Sequence, residues 1–221
     1  MANSPKTQKV LERFHEIGII PVVVLNDPKD AKPLGAALMK GGLPAAEVTF
    51  RTDAAEESIR IMAKEYPDML VGAGTVLTTD QVDRAVAAGA KFIVAPGFDP
   101  ELVKYCLEKD IPVCPGTATA SEITGCVKLG LDHVKFFPAE LNGGLKKIKA
   151  IGAALVNVKF MPTGGVNATN VVDYLKDDKI FCAGGSWMVK GDLIKAGKFD
   201  EIEAKVAEAA EIVKKVRAEK A

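Results

Sequence analysis

The sequence predicts a closed (β/α)8 barrel, the TIM-barrel class of α/β fold, with an extra N-terminal helix in front of it. From residue 19 onward, eight short apolar runs alternate with longer segments of helical periodicity. Each strand-then-helix unit takes about 27 residues, which is close to the minimum length of a βαβ crossover. The apolar runs are nearly continuous, as expected of parallel strands covered on both faces. We therefore expect one domain over residues 1–221, with a helix at 1–17 and the barrel at 18–221.

Local sequence patterns predict the individual helices and strands. The first is predicted to be a helix because its apolar residues recur at helical spacing, at Val10, Leu11, Phe14 and Ile17. The eight predicted strands are residues 19–25, 45–50, 69–73, 92–95, 111–114, 133–136, 159–161 and 180–183. Two helices are predicted to begin where an aspartate N-cap precedes a proline, at Asp27-Pro28 and Asp99-Pro100. The last helix carries one apolar stripe, at Ile202, Val206, Ala209, Val213 and Val216.

The main alternative fold is an open, doubly wound sheet. Such sheets usually have about five or six strands and mark a nucleotide site with G-x-G-x-x-G after a strand. The nearest match, residues 72–77, reads GAGTVL and lacks the third glycine, and the sequence contains no P-loop motif. Eight units therefore favour the closed barrel.

Charge and cysteine content exclude several classes of function. Twenty-nine basic residues balance 29 acidic ones, so we expect neither a nucleic acid nor a membrane surface as a partner. The longest apolar run, residues 17–25, contains a proline and is too short to span a bilayer. Four widely spaced cysteines form no CxxC pair, and only two histidines occur. We therefore expect reduced thiols, a cytoplasmic location and no metal site.

Lys135 is a polar residue that interrupts a predicted buried strand. It lies in the segment HVKFFP, between aromatic and aliphatic neighbours. If the side chain faces inward, partial desolvation disfavours the ammonium and favours the neutral amine, which is a nucleophile. Alternatively, Lys135 reaches solvent at the strand end or pairs with a carboxylate.

The second predicted strand carries an alternating polar face. In AAEVTFR, the side chains of Glu47, Thr49 and Arg51 share one side of the strand. In a barrel this side is the interior, and Arg51 would lie at the carboxyl end, where barrel active sites are built. The structural alternative is an ion pair between Glu47 and Arg51. Thr75 closes the next strand after Gly-Ala-Gly, where small residues allow a ligand to approach the backbone.

Glycine pairs follow the last two predicted strands, at Gly164-Gly165 and Gly184-Gly185. The loops after the seventh and eighth strands are the recurrent phosphate position of such barrels, because free backbone N–H groups meet a helix N-terminus there. A single glycine pair usually marks only a tight turn. Two pairs in these two loops predict a phosphate site.

The chain resembles the 2-dehydro-3-deoxy-phosphogluconate aldolase family, also described as 4-hydroxy-2-oxoglutarate aldolase. The resemblance runs from about residue 17 to the C-terminus and rests on five motifs in register: EVTFR at 47–51, GAGT at 72–75, KFFPAE at 135–140, PTGG at 162–165 and GGSW at 184–187. It implies a class I, metal-independent lyase of carbohydrate metabolism, in the Entner–Doudoroff pathway. It also implies that the enzyme uses no cofactor, forms a Schiff base with its substrate and is a homotrimer.

The resemblance implies a role for each matching position. The catalytic pair is Lys135, as the Schiff-base lysine, and Glu47, as the general acid/base. The residues that hold the pyruvate carboxylate are Arg51 and Thr75. The pocket residues are Pro96, Phe137 and Thr163, the last of which bears on stereochemistry at the cleaved centre. The phosphate-binding residues are Gly164, Gly165, Gly184, Gly185 and Ser186. The first predicted strand departs from the pattern, because it lacks the arginine that some relatives carry at its end.

We therefore expect a small phosphorylated 2-keto acid as the substrate. The resemblance implies cleavage of 2-dehydro-3-deoxy-6-phosphogluconate to pyruvate and glyceraldehyde 3-phosphate, with 4-hydroxy-2-oxoglutarate and the galactonate epimer as further candidates. A phosphosugar isomerase or epimerase, with Glu47 as an enolising base and Lys135 as its electrostatic partner, is the alternative from another enzyme class. A non-catalytic phosphometabolite-binding barrel is disfavoured, because ionisable groups are costly inside a core.

Overall fold

The computed structural model describes residues 4–220. Its strands are β1 Ile19–Val23, β2 Ala45–Thr49, β3 Leu70–Gly74, β4 Ile93–Val94, β5 Val113–Cys114, β6 Gly116–Thr117, β7 His133–Phe136, β8 Lys159–Pro162 and β9 Ala183–Gly185. Its helices are α1 Pro5–Ile17, α2 Ala31–Gly41, α3 Ala55–Glu65, α4 Thr79–Ala87, α5 Pro100–Glu108, α6 Ala120–Lys128, α7 Gly144–Ala154, α8 Val171–Lys176, α9 Gly191–Lys195 and α10 Phe199–Lys220. Short 3-10 turns cover Pro28–Asp30 and Glu140–Asn142.

The expected single closed barrel of eight strands is wrong. The strands form two parallel sheets, a six-stranded one ordered β5-β4-β3-β2-β1-β9 and a three-stranded one ordered β6-β7-β8. One break lies at Pro115, directly after the predicted fifth strand, where the chain passes from β5 to β6. β5 pairs with β4, whereas β6 pairs with β7. Because proline has no N–H to donate to a ladder, the residues on its two sides join different sheets.

The second break lies between β8 and β9. Within residues 4–220, only two isolated bridges join this region, Phe160 with Ile180 and Thr163 with Gly184. The predicted eighth strand is displaced as well, since β9 covers Ala183–Gly185 and not residues 180–183. Two of the three residues of β9 are glycines, which weaken a strand because they have no side chain to pack. The chain keeps the strand-then-helix order, but its sheets form an interrupted relative of the barrel that the sequence predicted.

The N-terminal helix begins and ends with sequence-specific caps. The Ser4 Oγ accepts a hydrogen bond from the Thr7 N–H at 3.1 Å, and Gly18 ends the helix at a φ of +75°. Phe14 packs edge-on against Phe92, with 4.7 Å between ring centroids. Residues 1–3 of the predicted helix lie outside the described residues.

The other predicted helix signals are observed. The Asp27 carboxylate accepts a hydrogen bond from the Lys29 N–H at 3.0 Å, and Asp99 accepts one from the Glu101 N–H at 2.9 Å. The apolar stripe of α10 is buried, and this helix packs mainly against α2. No helix within residues 4–220 is long and apolar enough to cross a membrane.

The four cysteines are buried and form no disulfide. Burial raises the pKa of the Cys106 and Cys126 thiols to about 12. It also raises the pKa of Cys114 and Cys182. The prediction of reduced, buried thiols is confirmed for the fold described here.

Candidate active site

The two polar residues that interrupt the apolar strands meet each other inside the molecule. Lys135 lies in β7 of the smaller sheet and Glu47 in β2 of the larger one. The Lys135 Nζ lies 3.2 Å from the Glu47 Oε1, and the two residues are 5% and 1% exposed, respectively. Of the alternatives for these residues, the structure shows a lysine–carboxylate pair. Lys135 does not extend to solvent, and Glu47 does not pair with Arg51.

Hydrogen bonds satisfy the buried Glu47 carboxylate only in part. Burying two charges is costly, and their mutual attraction offsets the desolvation only when the remaining polar atoms are also paired. The second carboxylate oxygen, Glu47 Oε2, has no hydrogen-bond partner among residues 4–220. The Phe137 ring centroid lies 5.1 Å from the Lys135 Nζ. Transfer of a proton from Lys135 to Glu47 removes both charges from the interior and leaves a neutral amine beside a carboxylic acid.

Two glycines allow close packing around the pair. A Cβ on Gly74 would lie 2.5 Å from the Glu47 Oε1. Gly116 is the ladder partner of Lys135, and a Cβ there would lie 2.2 Å from the carbonyl oxygen of Pro96. The predicted pocket residue Pro96 therefore lies against β6, the strand that pairs with the Lys135 strand. Thr117 fixes this strand further, because its hydroxyl donates to the Lys135 carbonyl at 2.9 Å.

The predicted carboxylate-binding residues lie at the carboxyl ends of two adjacent strands. Arg51 follows β2 and Thr75 follows β3, and the Phe50 N–H donates to the Gly74 carbonyl at 2.7 Å. Arg51 is exposed and forms no ion pair with any residue between 4 and 220. Its guanidinium is therefore available to an external anion, two residues beyond the end of the strand that carries Glu47.

The two predicted glycine pairs lie next to each other, but only Gly164 and Gly165 form a loop. The expectation of a second loop is wrong, because Gly184 and Gly185 lie within β9 and pair with β1. Thr163 bridges Gly184, and a Cβ on Gly184 would lie 2.4 Å from the Thr163 Oγ1. Gly164 and Gly165 adopt φ values of +94° and +82°, which few other residues tolerate. Their N–H groups donate to no partner among the described residues. Ser186 follows β9 and is exposed.

Hydrogen bonds hold the PTGG loop against the strand that carries Lys135. The Ala139 N–H donates to the Thr163 carbonyl at 2.7 Å, and the Glu140 N–H donates to the Gly164 carbonyl at 3.1 Å. The side-chain amides of Asn167 and Asn170 each donate to the Gly165 carbonyl at 3.1 Å. With the carbonyls engaged on one side, the free N–H groups are left for a ligand.

Sequence reasoning did not identify the supporting residues Thr117, Asn167 and Asn170. The segment NATN directly after PTGGV was the available signal, since asparagine side chains commonly bond to nearby backbone groups in turns. Thr49 was placed only on the polar face of the second strand. In the structure it is 1% exposed, and its hydroxyl has no partner among residues 4–220.

These groups together form one candidate site with four kinds of functional group. A buried primary amine has a carboxylate within hydrogen-bond distance, and an unpaired guanidinium lies just beyond the strand that carries this carboxylate. Gly164 and Gly165 offer backbone N–H groups that donate to no partner among residues 4–220. An amine that can become neutral attacks carbonyl carbon, and a carboxylate beside it moves protons. The arrangement suits a substrate with a carbonyl, a carboxylate and a second anionic group.

Sequence comparisons find aldolases among the proteins that this chain resembles. The family model described as KDPG and KHG aldolase matches residues 10–205. The 2-dehydro-3-deoxy-phosphogluconate aldolase of Haemophilus influenzae is 42% identical over 208 residues, which cover 94% of this chain and 98% of that protein.

Two crystal structures are similar over most of the chain. The 2-keto-3-deoxy-6-phosphogluconate aldolase of Zymomonas mobilis ZM4, solved with 3-phosphoglycerate, is 41% identical with a TM-score of 0.85, covering 92% of this chain and 94% of that one. The KDPG aldolase of Legionella pneumophila, solved with pyruvate captured as a covalent carbinolamine, is 39% identical with a TM-score of 0.87, covering 90% and 96%.

Proposed function

The chain belongs to the KDPG and KHG aldolase family, and we propose that it cleaves 2-dehydro-3-deoxy-6-phosphogluconate to pyruvate and glyceraldehyde 3-phosphate through an imine on Lys135. As a member of this family it is an aldolase, and therefore a carbon–carbon lyase. The observation that carries the assignment of the reacting residues is the buried contact of 3.2 Å between the Lys135 Nζ and the Glu47 Oε1.

The first part of the reaction forms the imine. Glu47 accepts a proton from the Lys135 ammonium, and the neutral amine attacks the C2 carbonyl of the substrate. Glu47 returns its proton to the hydroxyl of the resulting carbinolamine, which leaves as one water molecule; this gives an iminium ion and restores the Glu47 carboxylate. The positive nitrogen of this ion then accepts the electron pair of the bond that breaks next.

The second part breaks the C3–C4 bond. Glu47 removes the proton of the C4 hydroxyl, the aldehyde leaves, and the electron pair of the C3–C4 bond moves into the iminium to form an enamine. Protonation of the enamine at C3 and addition of one water molecule to C2 release pyruvate and restore the amine. The buried, partly apolar surroundings of Glu47 suit a carboxylate that both takes up and returns protons.

The remaining site residues hold the two ends of the substrate. Arg51 and Thr75 bind the carboxylate at one end, where a guanidinium can form a two-point contact. The free N–H groups of Gly164 and Gly165, with Gly184, Gly185 and the Ser186 hydroxyl beside them, bind the phosphate at the other end. Pro96, Phe137 and Thr163 line the pocket between them. Fixing both ends positions the reacting bond over Lys135.

Further properties follow from the same family assignment. 4-Hydroxy-2-oxoglutarate and the galactonate epimer of the phosphorylated acid present the same 2-keto and 4-hydroxyl groups to Lys135 and Glu47, so we include them as substrates. We also place the enzyme in the cytoplasm, as a homotrimer. The exposed apolar side chains of Leu141 and Val156, 89% and 66% exposed, support burial of further surface between subunits.

Borohydride reduction in the presence of pyruvate tests the proposed function. We expect one stable adduct on the protein, located at Lys135 by peptide mass spectrometry, and a pyruvate-release assay should show turnover of the phosphorylated acid. Lys135→Arg should lose both. An unmodified Lys135, or a Lys135→Arg protein that keeps its pyruvate release, would reject the imine. Conversion of a phosphosugar without pyruvate release, kept in Lys135→Arg, would favour the isomerase or epimerase alternative.

A further inference from the structure

Unpaired polar atoms in the interior point to a role for Thr49. The buried side-chain oxygens without a hydrogen-bond partner among residues 4–220 are Glu47 Oε2, Thr49 Oγ1, Ser58 Oγ and Thr163 Oγ1. Buried polar groups in folded proteins are normally paired, so each exception requires an explanation. Glu47 and Thr163 already belong to the proposed site, and Ser58 lies in α3. Thr49 is the member of this set at the site that has no role so far.

The ladder register places the Thr49 side chain close to the Glu47 carboxylate. Thr49 in β2 pairs directly with Gly74 in β3. The Glu47 Oε1 lies 2.5 Å from the position that a Gly74 Cβ would occupy. The Glu47 carboxylate therefore takes the place of the missing side chain opposite Thr49, and neighbouring strands lie about 4.8 Å apart.

No hydrogen bond joins the Thr49 Oγ1 to the Glu47 Oε2, and one water molecule between them would satisfy both oxygens. Thr49 and Glu47 share one face of β2, since they are two residues apart. Two hydrogen bonds of about 2.8 Å each through one water span oxygens about 5 Å apart. Both the Thr49 Oγ1 and the Glu47 Oε2 are free to take part, and the Lys135 Nζ lies on the other side of the same carboxylate.

We propose that Thr49 is a positioning residue that, together with the Glu47 Oε2, holds the water that leaves and re-enters C2 of the substrate during imine formation and hydrolysis. This inference rests on the proposed function of Lys135. In hydrolysis the water oxygen bonds to C2 of the iminium, the electron pair of the C=N bond moves to nitrogen, and one water proton passes to Glu47. Glu47 then returns this proton to nitrogen as the C2–N bond breaks, and the remaining hydroxyl forms the carbonyl of pyruvate as it gives its proton back to the carboxylate.

Exchange of the pyruvate carbonyl oxygen with ¹⁸O-labelled water measures this step without any carbon–carbon chemistry. Thr49→Val removes the hydroxyl and keeps the shape of the side chain, whereas Thr49→Ser keeps the hydroxyl. We expect the enzyme-catalysed exchange rate and kcat to fall about tenfold in Thr49→Val, consistent with the loss of one hydrogen bond in the slow step. The KM should not rise, and Thr49→Ser should keep most of both rates.

Ser58→Ala is the matched control, because Ser58 also has a buried, unpaired hydroxyl. We expect it to leave exchange and kcat unchanged, and thermal unfolding should show both Thr49→Val and Ser58→Ala to be as stable as the unmodified protein. Unchanged exchange in Thr49→Val, or equal losses in Thr49→Val and Thr49→Ser, would overturn the proposal. If the unmodified enzyme forms no imine with pyruvate, the proposed function itself fails, and the borohydride adduct at Lys135 reports that separately.

Discussion

Replacing Gly74 with alanine tests whether the position of the Glu47 carboxylate governs catalysis. A Cβ at this position would lie 2.5 Å from the Glu47 Oε1 and 2.9 Å from both the Glu47 Cδ and the Val94 Cβ. Val94 is the direct ladder partner of Gly74 in β4, so its Cβ cannot retreat without disturbing the sheet. The Glu47 carboxylate must move instead, by about 1 Å to reach an ordinary contact distance of about 3.5 Å.

That displacement acts on the contact of 3.2 Å between Glu47 and Lys135. A misplacement of about 1 Å in a reacting group can cost about 100-fold in rate. We therefore expect kcat for pyruvate release to fall about 100-fold in Gly74→Ala. Overpacking of a close-packed interior costs about 1–3 kcal/mol, and we expect the free energy of unfolding to fall by that amount.

A steady-state assay of pyruvate release and a urea denaturation curve measure the two effects. Gly191→Ala is the matched control, because a Cβ at position 191 meets no atom within 4 Å. We expect this control to keep both the kcat and the stability of the unmodified protein. A folded Gly74→Ala protein with unchanged kcat would refute the argument, and so would a comparable loss of activity in Gly191→Ala.

Three further predictions concern the phosphate loop, the thiols and a surface carboxylate. Gly165→Ala places a side chain at a φ of +82°, a strain of about 1–2 kcal/mol. We expect its KM for the phosphorylated substrate to rise about tenfold while the KM for 4-hydroxy-2-oxoglutarate stays constant, and steady-state kinetics with both substrates would expose an equal rise. Burial raises the pKa of the Cys106 and Cys126 thiols to about 12, so iodoacetamide at pH 8 should alkylate them at least about 100-fold more slowly in the native protein than in urea. Equal alkylation rates by mass spectrometry would contradict that burial. Arg84 lowers the pKa of Glu56 below its ordinary 4.5, so the carboxylate stabilises the fold above that pH and loses this effect as the pH falls through the lower folded value. Glu56→Gln should flatten the acid side of the stability profile in urea titrations, and an unchanged acid slope would count against the pairing.

Much of the candidate site could be predicted because a buried charge is conspicuous in an apolar strand. Lys135 and Glu47 stand out against neighbours that are almost all apolar, and the cost of burying either one indicates a function. Their mutual contact could not be predicted, because the two strands belong to different sheets. Pairing across a fold depends on how the sheets face each other, and local spacing carries no information about that.

The supporting groups were harder to identify for a similar reason. Threonine is common in strands, so Thr49 in the sequence looks like an ordinary strand residue. Its distinction is a hydroxyl that lacks a partner among residues 4–220, and this depends on everything packed around it. Asn167 and Asn170 become informative only when both are seen to donate to the carbonyl of Gly165.

The break in the sheet and the close approach of Pro96 both depend on two consecutive residues, Pro115 and Gly116. Pro115 cannot donate a hydrogen bond, which ends the ladder of the six-stranded sheet. Its carbonyl still accepts one from the Lys135 N–H at 3.0 Å, so the strand that carries the lysine stays anchored at the break. Gly116 faces Lys135 across the ladder without a side chain and lets the Pro96 carbonyl approach. An ordinary side chain at position 116 would collide with the backbone of Pro96, so this glycine is required for the Pro96 segment to approach the ladder that holds Lys135.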